Sequence, residues 1–307
     1  VYKRQPQLWY QIQTKFRDEP RPRFGVIRAR QFIMKDSYSL DIDDSGLDHS
    51  YRLHYEAYSR IFKRCGLDFF VVQASGGIMG EGESAEFMAP VPGGENKVVL
   101  CDKCGYKANI EVARSVVQNS SYPDQTLKVV PTPGQRTVEE VSAFLKVKPE
   151  QLIKSMVFAN RQGPFLVLVR GDYEISEEKL KKKFGLDTRS ATNEKVREHF
   201  GADVGFIGPQ NVKGKGVKVY ADLMLEGATG RVTGANVNDH HVVGLNLPRD
   251  CEIEEYIDIK MVKEGDGCPV CNSRLGIEDT LELGHLFKLG TKYSKMLKAD
   301  YLDKNGV

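Results

Sequence analysis

Between residues 8 and 19 the chain alternates strictly: Tyr10, Ile12, Thr14 and Phe16 are separated by Gln11, Gln13 and Lys15, and the polar series runs on through Arg17 and Glu19. A period of two is that of a β-strand with one buried face, so Tyr10, Ile12 and Phe16 are expected inside. Pro20-Arg21-Pro22-Arg23-Phe24-Gly25 breaks the alternation, and Ala29 to Leu40 resumes it with Arg30, Phe32, Met34, Asp36 and Tyr38 on one side. The two runs predict an antiparallel pair. From Asp43 to Cys65 the period becomes helical, with Leu47, Tyr51, Tyr55, Tyr58, Phe62 and Cys65 on one stripe and Gly66 placed to end the helix. Such an aromatic stripe is expected to bury against a sheet. A short apolar strand over Asp68–Ala74 and a Gly-rich turn at 76–82 then lead to Ser84-Ala85-Glu86-Phe87-Met88.

The pattern lapses between Gln118 and Gln135, where Asn119-Ser120-Ser121-Tyr122-Pro123-Asp124 and Pro131-Thr132-Pro133-Gly134 read as a linker. Beyond it the chain predicts a separate α/β unit: a helix near Val138–Leu145, strands at Ile153–Ala159 and Phe165–Val169 about the turn Arg161-Gln162-Gly163, and a helix over Ser176–Phe184. This unit is expected to run to about Asp250. The division is therefore 1–124, 125–250 inserted, and 251–307 returning to the first domain.

Length and composition change this picture little. A chain of 307 residues with 40% hydrophobic content exceeds what one core usually serves. A formal charge of +2 means that nucleic acid, if bound, must be met by local basic patches. The run Lys179, Lys181, Lys182, Lys183 is a candidate patch, although a solvated helix face is the preferred reading of it. No apolar run reaches the length of a membrane span and Val1–Pro6 lacks the apolar core of a signal peptide, so a cytoplasmic protein is expected.

Four of the six cysteines form two Cys-x-x-Cys pairs, Cys101/Cys104 and Cys268/Cys271. Two thiolates at that spacing can reach one ion, and the Gly105 and Asn272 that follow suit a left-handed turn. Together the pairs predict a closed Cys₄ zinc site clamping the two stems of the insertion, whereas a redox site would need only one pair at a helix start. His240 beside His241 offers no comparable set, because neighbours on a strand point apart.

Arg17 and Glu19 share a polar strand face, where an arginine can grip a phosphate and a carboxylate can orient a nucleotide. An ordinary surface ion pair would look the same. The whole run is more specific. Gln11-Ile12-Gln13-Thr14-Lys15-Phe16-Arg17-Asp18-Glu19, Arg21 to Arg30, and Phe32-Ile33-Met34-Lys35-Asp36-Ser37-Tyr38-Ser39 closely resemble motif 2 of bacterial-type prolyl-tRNA synthetases. The likeness extends through Ala108-Asn109 to Leu283-Gly284-His285-Leu286-Phe287-Lys288-Leu289-Gly290-Thr291-Lys292-Tyr293-Ser294 and covers essentially the whole chain. It departs at Gln31, Glu81 and Asp279-Thr280.

The resemblance implies an α+β fold: a class II antiparallel sheet with helices, interrupted by an α/β insertion. It implies activation of proline by ATP with Mg²⁺ and transfer to tRNA(Pro), in a homodimeric enzyme with no membrane partner. Arg17 would hold the α-phosphate, Glu19 and Arg28 would contact the nucleotide, and Arg21 would lie in the loop near ATP and the acceptor end. Glu86 would meet the proline amine and His285 would line the amino-acid pocket.

A proline pocket cannot exclude the smaller alanine by size, since each missing methylene costs only ~1–3 kcal/mol, so a second hydrolytic site is useful. Residues 125–250 resemble the mischarged-tRNA deacylases in Leu152-Ile153-Lys154-Ser155-Met156-Val157, Val169-Arg170-Gly171-Asp172, Gly205-Phe206-Ile207-Gly208-Pro209, Ala221-Asp222 and Thr233-Gly234-Ala235-Asn236 with His241. That likeness implies Lys154 on the 3′-terminal phosphate, Asp222 and His241 shaping an alanine-sized site, the Gly208-Pro209 loop closing over it, and water attacking a held ester. The motif 1, motif 3 and anticodon-binding regions of such an enzyme are not in this sequence, so a fragment that edits weakly and makes no adenylate alone is expected. Two other readings remain at this point, an aminoacyl-tRNA deacylase on a synthetase-like platform and a non-catalytic zinc- and RNA-binding module.

Overall fold

The computed structural model describes residues 5–22, 25–74, 82–117, 122–212 and 216–301, which fall into two compact units. The Gly-rich turn at 76–81 with Glu81, the Arg23-Phe24 pair and residues 118–121 of the expected linker lie outside the described residues.

The first unit comprises 1–69, 79–84 and 284–307. Its hairpin pairs β1 (Gln7–Phe16) with β2 (Gln31–Leu40) in continuous antiparallel register, Gln7 opposite Leu40 and Phe16 opposite Gln31. One face is tied by Asp36, which accepts from Gln11 at 3.1 Å and meets Lys15 at 2.6 Å. The other face corrects the sequence reading: Tyr10 and Phe16 are each 75% exposed and Ile12 66%, so the alternation marks an apolar face that nothing described here covers. Helix α1 (Asp44–Arg64) begins where the Asp43 side chain accepts from the Gly46 amide and ends at Gly66, whose φ of +70° suits glycine. Its aromatic stripe is half-buried rather than core. Lys35 of β2 donates to the Tyr58 hydroxyl at 2.7 Å, Tyr58 stacks on Phe62 at 5.4 Å, and a Cβ at Gly284 would meet both rings at 3.2 Å.

The second unit comprises 70–78 and 85–283. It opens with β3 (Phe70–Gln73), β4 (Ser84–Pro90), β5 (Asn96–Leu100) and β6 (Lys107–Asn109). Within the expected linker a strand appears, β7 (Lys128–Pro131). Its prolines and polar neighbours read as a loop, but Lys128 to Pro131 add to a sheet edge. Helix α2 (Val138–Leu145) starts in a capping box, Thr137 accepting from the Glu140 amide and Glu140 accepting from the Thr137 amide.

Strands β8 (Ile153–Asn160) and β9 (Gly163–Arg170) form the predicted hairpin, with Gly163 at φ +121° in its turn. They are followed by α3 (Glu177–Phe184), β10 (Arg189–Ser190), α4 (Asn193–Phe200), β11 (Lys218–Asp222), β12 (Arg231–Gly234), β13 (His240–Leu245), α5 (Leu247–Asp250), β14 (Glu255–Ile257), β15 (Gly276–Phe287) and, in the first unit, α6 (Lys292–Leu297).

Residues Phe165 to Val169 form an unbroken apolar run because β9 is central in a five-stranded sheet ordered β10-β8-β9-β11-β14 and is covered on both faces. Leu166 and Leu168 face Val196 and Phe200 of α4, while Phe165 and Val167 face Leu180 of α3 with Ile257 and Ile259. Lys179 is an exception to the solvated basic face. It is 8% exposed, and its ammonium donates to Asp258 at 2.9 Å and to the Lys260 carbonyl at 2.8 Å. A three-stranded antiparallel sheet, β12-β13-β7, lies beside this layer through a Leu152–Val232 bridge. A closed barrel ordered β15-β4-β3-β6-β5 completes the unit. The mixed α+β character expected from the sequence is observed, as strands and helices in separate sheets and layers.

Candidate functional site

The two cysteine pairs meet. Each turn is made by the residue type that tolerates it, Gly105 at φ +76° and Asn272 at φ +57°, and the Val270 amide donates to the Cys268 sulfur at 3.4 Å. Cys101 and Cys271 lie 3.6 Å apart, Cys104 and Cys268 3.5 Å apart, and all four sulfurs lie within 4.8 Å of one another. Four thiolates at ~2.3 Å from one ion stand about 3.8 Å apart, so number, softness and spacing all fit tetrahedral zinc. All four are free thiols. Hydrogen bonds from the Ser273 hydroxyl and amide hold the Cys271 thiol well below the usual range. Around them Val99, Ala108, Ala113, Val262 and Leu275 form a small core of their own.

A cleft of about 310 Å³ opens where four segments of the second unit converge. Its walls are the start of α2 with Arg136 and Thr137, the start of β8 with Lys154 and Ser155, the loop at Val204, Gly205 and Ile207, and the pair β12–β13 with Thr233, Gly234 and His241. Two glycines make this convergence possible. A Cβ at Gly234 would lie 2.2 Å from the Phe206 backbone, and one at Gly208 would lie 2.0 Å from the Gly234 carbonyl.

Within the cleft the Ser155 and Thr233 hydroxyls are 3.1 Å apart. Lys154 donates to the Tyr173 carbonyl at 3.0 Å and pairs with the exposed Glu174 carboxylate. His241 is 3% exposed, with Nδ1 2.6 Å from the Thr132 hydroxyl and its ring edge-on to Phe206 at 5.7 Å. Burial holds its pKa down against the opposing pull of the Gly205 backbone, so the ring is neutral near pH 7. The arrangement offers two cationic side chains in its wall, Lys154 and Arg136, with hydroxyls and a neutral fixed imidazole, which suits an anionic group beside a small uncharged one.

Not every expected residue reaches this cleft. Asp222 is 1% exposed, and its carboxylate accepts from the amides of Met224 at 3.0 Å, Ile259 at 2.9 Å and Lys260 at 2.8 Å. Burial raises its pKa while those three amides oppose the rise. It fastens β11 to the segment before the second knuckle and is absent from the cleft wall. Gly208 and Pro209 are also buried rather than poised over the opening. Asn236 clamps Gly208, accepting from its amide at 2.9 Å and donating to its carbonyl at 3.1 Å. The loop residues on the wall are Val204, Gly205 and Ile207 instead. Thr132 was hidden in the Pro-rich run read as linker, and only its place next to a strand edge would have marked it.

On the hairpin, the sequence placed Arg17 and Glu19 on a strand face, but β1 ends at Phe16 and the Glu19 amide turns back to the Arg17 carbonyl at 2.9 Å. Arg17 stands over the Phe32 ring at 5.2 Å. Arg28 approaches the Glu19 carboxylate at 3.5 Å, and the exposed Arg21 donates its amide to Glu19 at 3.4 Å. Of these arginines, Arg28 brings its guanidinium to the Glu19 carboxylate, whereas Arg21 reaches it through its backbone amide and Arg17 turns to the Phe32 ring.

Glu86 belongs to the second unit and His285 to the first. Glu86 is 8% exposed, and Asn109 donates to it at 2.8 Å. Burial pushes its pKa up to about 7, against the Asn109 hydrogen bond and with help from Glu282 and Glu111. His285 Nε2 lies 2.6 Å from the Ser84 hydroxyl, and burial lowers its pKa.

The sign for Glu86 is that of a carboxyl that binds its proton more tightly folded than unfolded. Stability of the second unit should therefore fall as pH rises from about 4.5 to about 7. The loss approaches ~3 kcal/mol at ~1.4 kcal/mol per pKa unit. Urea midpoints of the wild type should decline between pH 5 and pH 8 and those of Glu86→Gln should decline less; equal declines would show the carboxyl ionised throughout.

Comparison with known proteins agrees with these features. Residues 132–249, which contain the cleft, match the family described as aminoacyl-tRNA editing domain. The chain is 48% identical over 306 residues to the proline–tRNA ligase of Thermodesulfovibrio yellowstonii, covering 99% of this chain and 53% of that one. It is 45% identical to the ligase of Thermotoga maritima and 46% identical to that of Nitratidesulfovibrio vulgaris strain DP4, each over 99% of this chain and 53% of the relative. The chain spans about half the length of the curated relatives it matches. Nearly the whole chain is thus similar to about half of these proline–tRNA ligases, and residues 132–249 within it match an aminoacyl-tRNA editing domain.

Proposed function

We propose that this chain supplies part of the amino-acid-activating centre and the whole editing centre of a proline–tRNA ligase. The observation that carries the reading is the cleft at Lys154: a cation in the wall of a small pocket lined by hydroxyls and a neutral imidazole, inside the residues that match an editing domain. Lys154 would exchange Glu174 for the 3′-terminal phosphate of tRNA. Ser155, Thr233 and His241 would surround the aminoacyl group, and Thr132 would fix the His241 ring. Water would attack the ester held there, with positioning as the main source of rate. The test is hydrolysis of alanyl-tRNA(Pro) by this chain, with prolyl-tRNA(Pro) as control; equal rates on the two, or none above the uncatalysed reaction, would remove the editing reading.

For activation, the class II reading assigns residues 1–124 and 251–307 to the catalytic domain and 125–250 to the insertion. Arg17 would meet the α-phosphate of ATP, whose Mg²⁺ travels with it; Glu19, Arg28 and Arg21 would order the nucleotide and the acceptor end. Glu86, whose pKa burial raises to about 7, would ionise when the proline ammonium arrives, and His285 is the second residue the class II reading assigns to proline binding. The complete enzyme would be a cytoplasmic homodimer serving tRNA(Pro). No helix among the described residues is long and apolar enough to cross a membrane.

The four paired cysteines would hold one zinc ion as a structural clamp. Metal analysis of the purified chain should give about one zinc per chain, falling to none in Cys268→Ser. Four thiols that titrate freely under native conditions would exclude the clamp.

A further inference from the structure

Between the cysteine cluster and the editing cleft runs a series of buried polar contacts that neither site requires for its own construction. Lys154 is directed by the backbone of Tyr173 and by Glu174. Tyr173 is 3% exposed, and its hydroxyl donates to Asp266 Oδ1. The other oxygen of Asp266 accepts from the Ser115 hydroxyl at 2.7 Å and from the Lys263 amide at 3.1 Å. Asp266 stands two residues before Cys268, its carbonyl accepts from Leu275 at 2.8 Å, and the adjoining Gly267 is bridged to Val116. The Tyr173 ring is also flanked by cations, Lys263 at 4.2 Å and Arg170 at 4.9 Å.

We propose that Tyr173 is a positioning residue for Lys154, a strut by which the order of the cysteine knuckle fixes the editing lysine. The claim rests on the editing reading for its function but on these contacts for its mechanics. A lysine loses much rotamer freedom when it is held, so a fixed carbonyl acceptor decides how often its ammonium points at the cleft. The backbone here is tied by the Tyr173 amide to the Arg170 carbonyl at 2.9 Å, and the ring adds a second anchor, held at its far end by Asp266. Disorder at Cys268 releases Asp266, then Tyr173, then Lys154. A metal held there would thus act on editing without touching substrate.

The experiment compares the full chain as wild type loaded with zinc, wild type stripped with EDTA, and Tyr173→Phe loaded with zinc. Three quantities are read: amide hydrogen exchange at 153–156 and 171–174, acylation of the Lys154 amine by a water-soluble ester, and kcat and KM for alanyl-tRNA hydrolysis. Both stripping and Tyr173→Phe should raise exchange at 171–174 and Lys154 acylation about tenfold, which is ~1.4 kcal/mol and the scale of one net hydrogen bond. Exchange at 166–168 in the centre of β9 should stay unchanged, which separates the strut from general loosening. Hydrolysis should fall about tenfold in the same two samples. Unaltered exchange and acylation in Tyr173→Phe, or stripping effects confined to 101–116 and 260–275, would overturn the strut. Wild type that shows the exchange pattern but no hydrolysis would refute the editing reading alone.

Discussion

Replacing Lys154 by alanine should reduce hydrolysis of alanyl-tRNA(Pro) by ~10²–10³, the usual loss when one preorganised charged contact to the reacting complex is deleted. The prediction follows from geometry. Lys154 supplies a cation to the cleft wall beside Ser155, Thr233 and His241, and its present partner Glu174 is an exposed carboxylate that a phosphate can displace. Removing the ammonium should leave the fold unchanged, because the side chain stands in the cleft wall while the β8–β9 ladder is held by backbone hydrogen bonds. Proline-dependent pyrophosphate exchange by a full-length enzyme should not change, so mischarged tRNA should accumulate. Wild-type hydrolysis in Lys154→Ala would take this lysine out of the site.

The reverse separation is expected for Arg17→Ala in a full-length enzyme. Pyrophosphate exchange should fall by ~10²–10³, because the guanidinium would meet charge that builds on the α-phosphate during attack by the proline carboxylate. Hydrolysis of alanyl-tRNA should persist. Arg17 now rests over the Phe32 ring, a contact worth ~0.5–1 kcal/mol at exposed sites, so the substitution should cost little stability. Near-normal exchange would transfer the role to Arg28, whose guanidinium meets the Glu19 carboxylate, or to the neighbouring Arg21.

How much of this was legible in the sequence depends on the range of the interactions involved. The bounds of α1, α2, β8 and β9 were readable because caps, turns and period act over a few residues: Asp43, Thr137 and Gly163 sit where their chemistry is needed. The cysteine cluster was readable for the same reason, since each knuckle is local and only their meeting is not. Asp222 was misplaced because its ligands are amides at 259 and 260, which no short-range pattern connects to β11. The barrel was unreadable as a whole, although the strand over Asp68–Ala74 was expected, since its strands are scattered between Phe70 and Phe287 and their pairing is decided by packing. Thr132 escaped notice because prolines on either side concealed a strand edge, and Lys179 because a basic run gives no sign of which ammonium will find a buried carboxylate.

The bridge between Val116 and Gly267 has an evolutionary consequence. The two residues exchange backbone hydrogen bonds at 2.8 and 2.9 Å, so the polypeptide departs from the knuckle core and comes back to it within a single pair of facing residues. Everything between them is a detour of zero net displacement. A host whose exit and return points coincide is indifferent to what hangs from them, because doubling the length of a closed excursion adds only ~0.6 kcal/mol to its closure cost. Lineages could shorten or replace much of the excursion without moving its two ends, as long as Val262 and the Gly265–Asp266 stretch that pack and bond with the knuckle are kept. The length of the excursion is, in this architecture, something selection can change without moving the points to which it is attached.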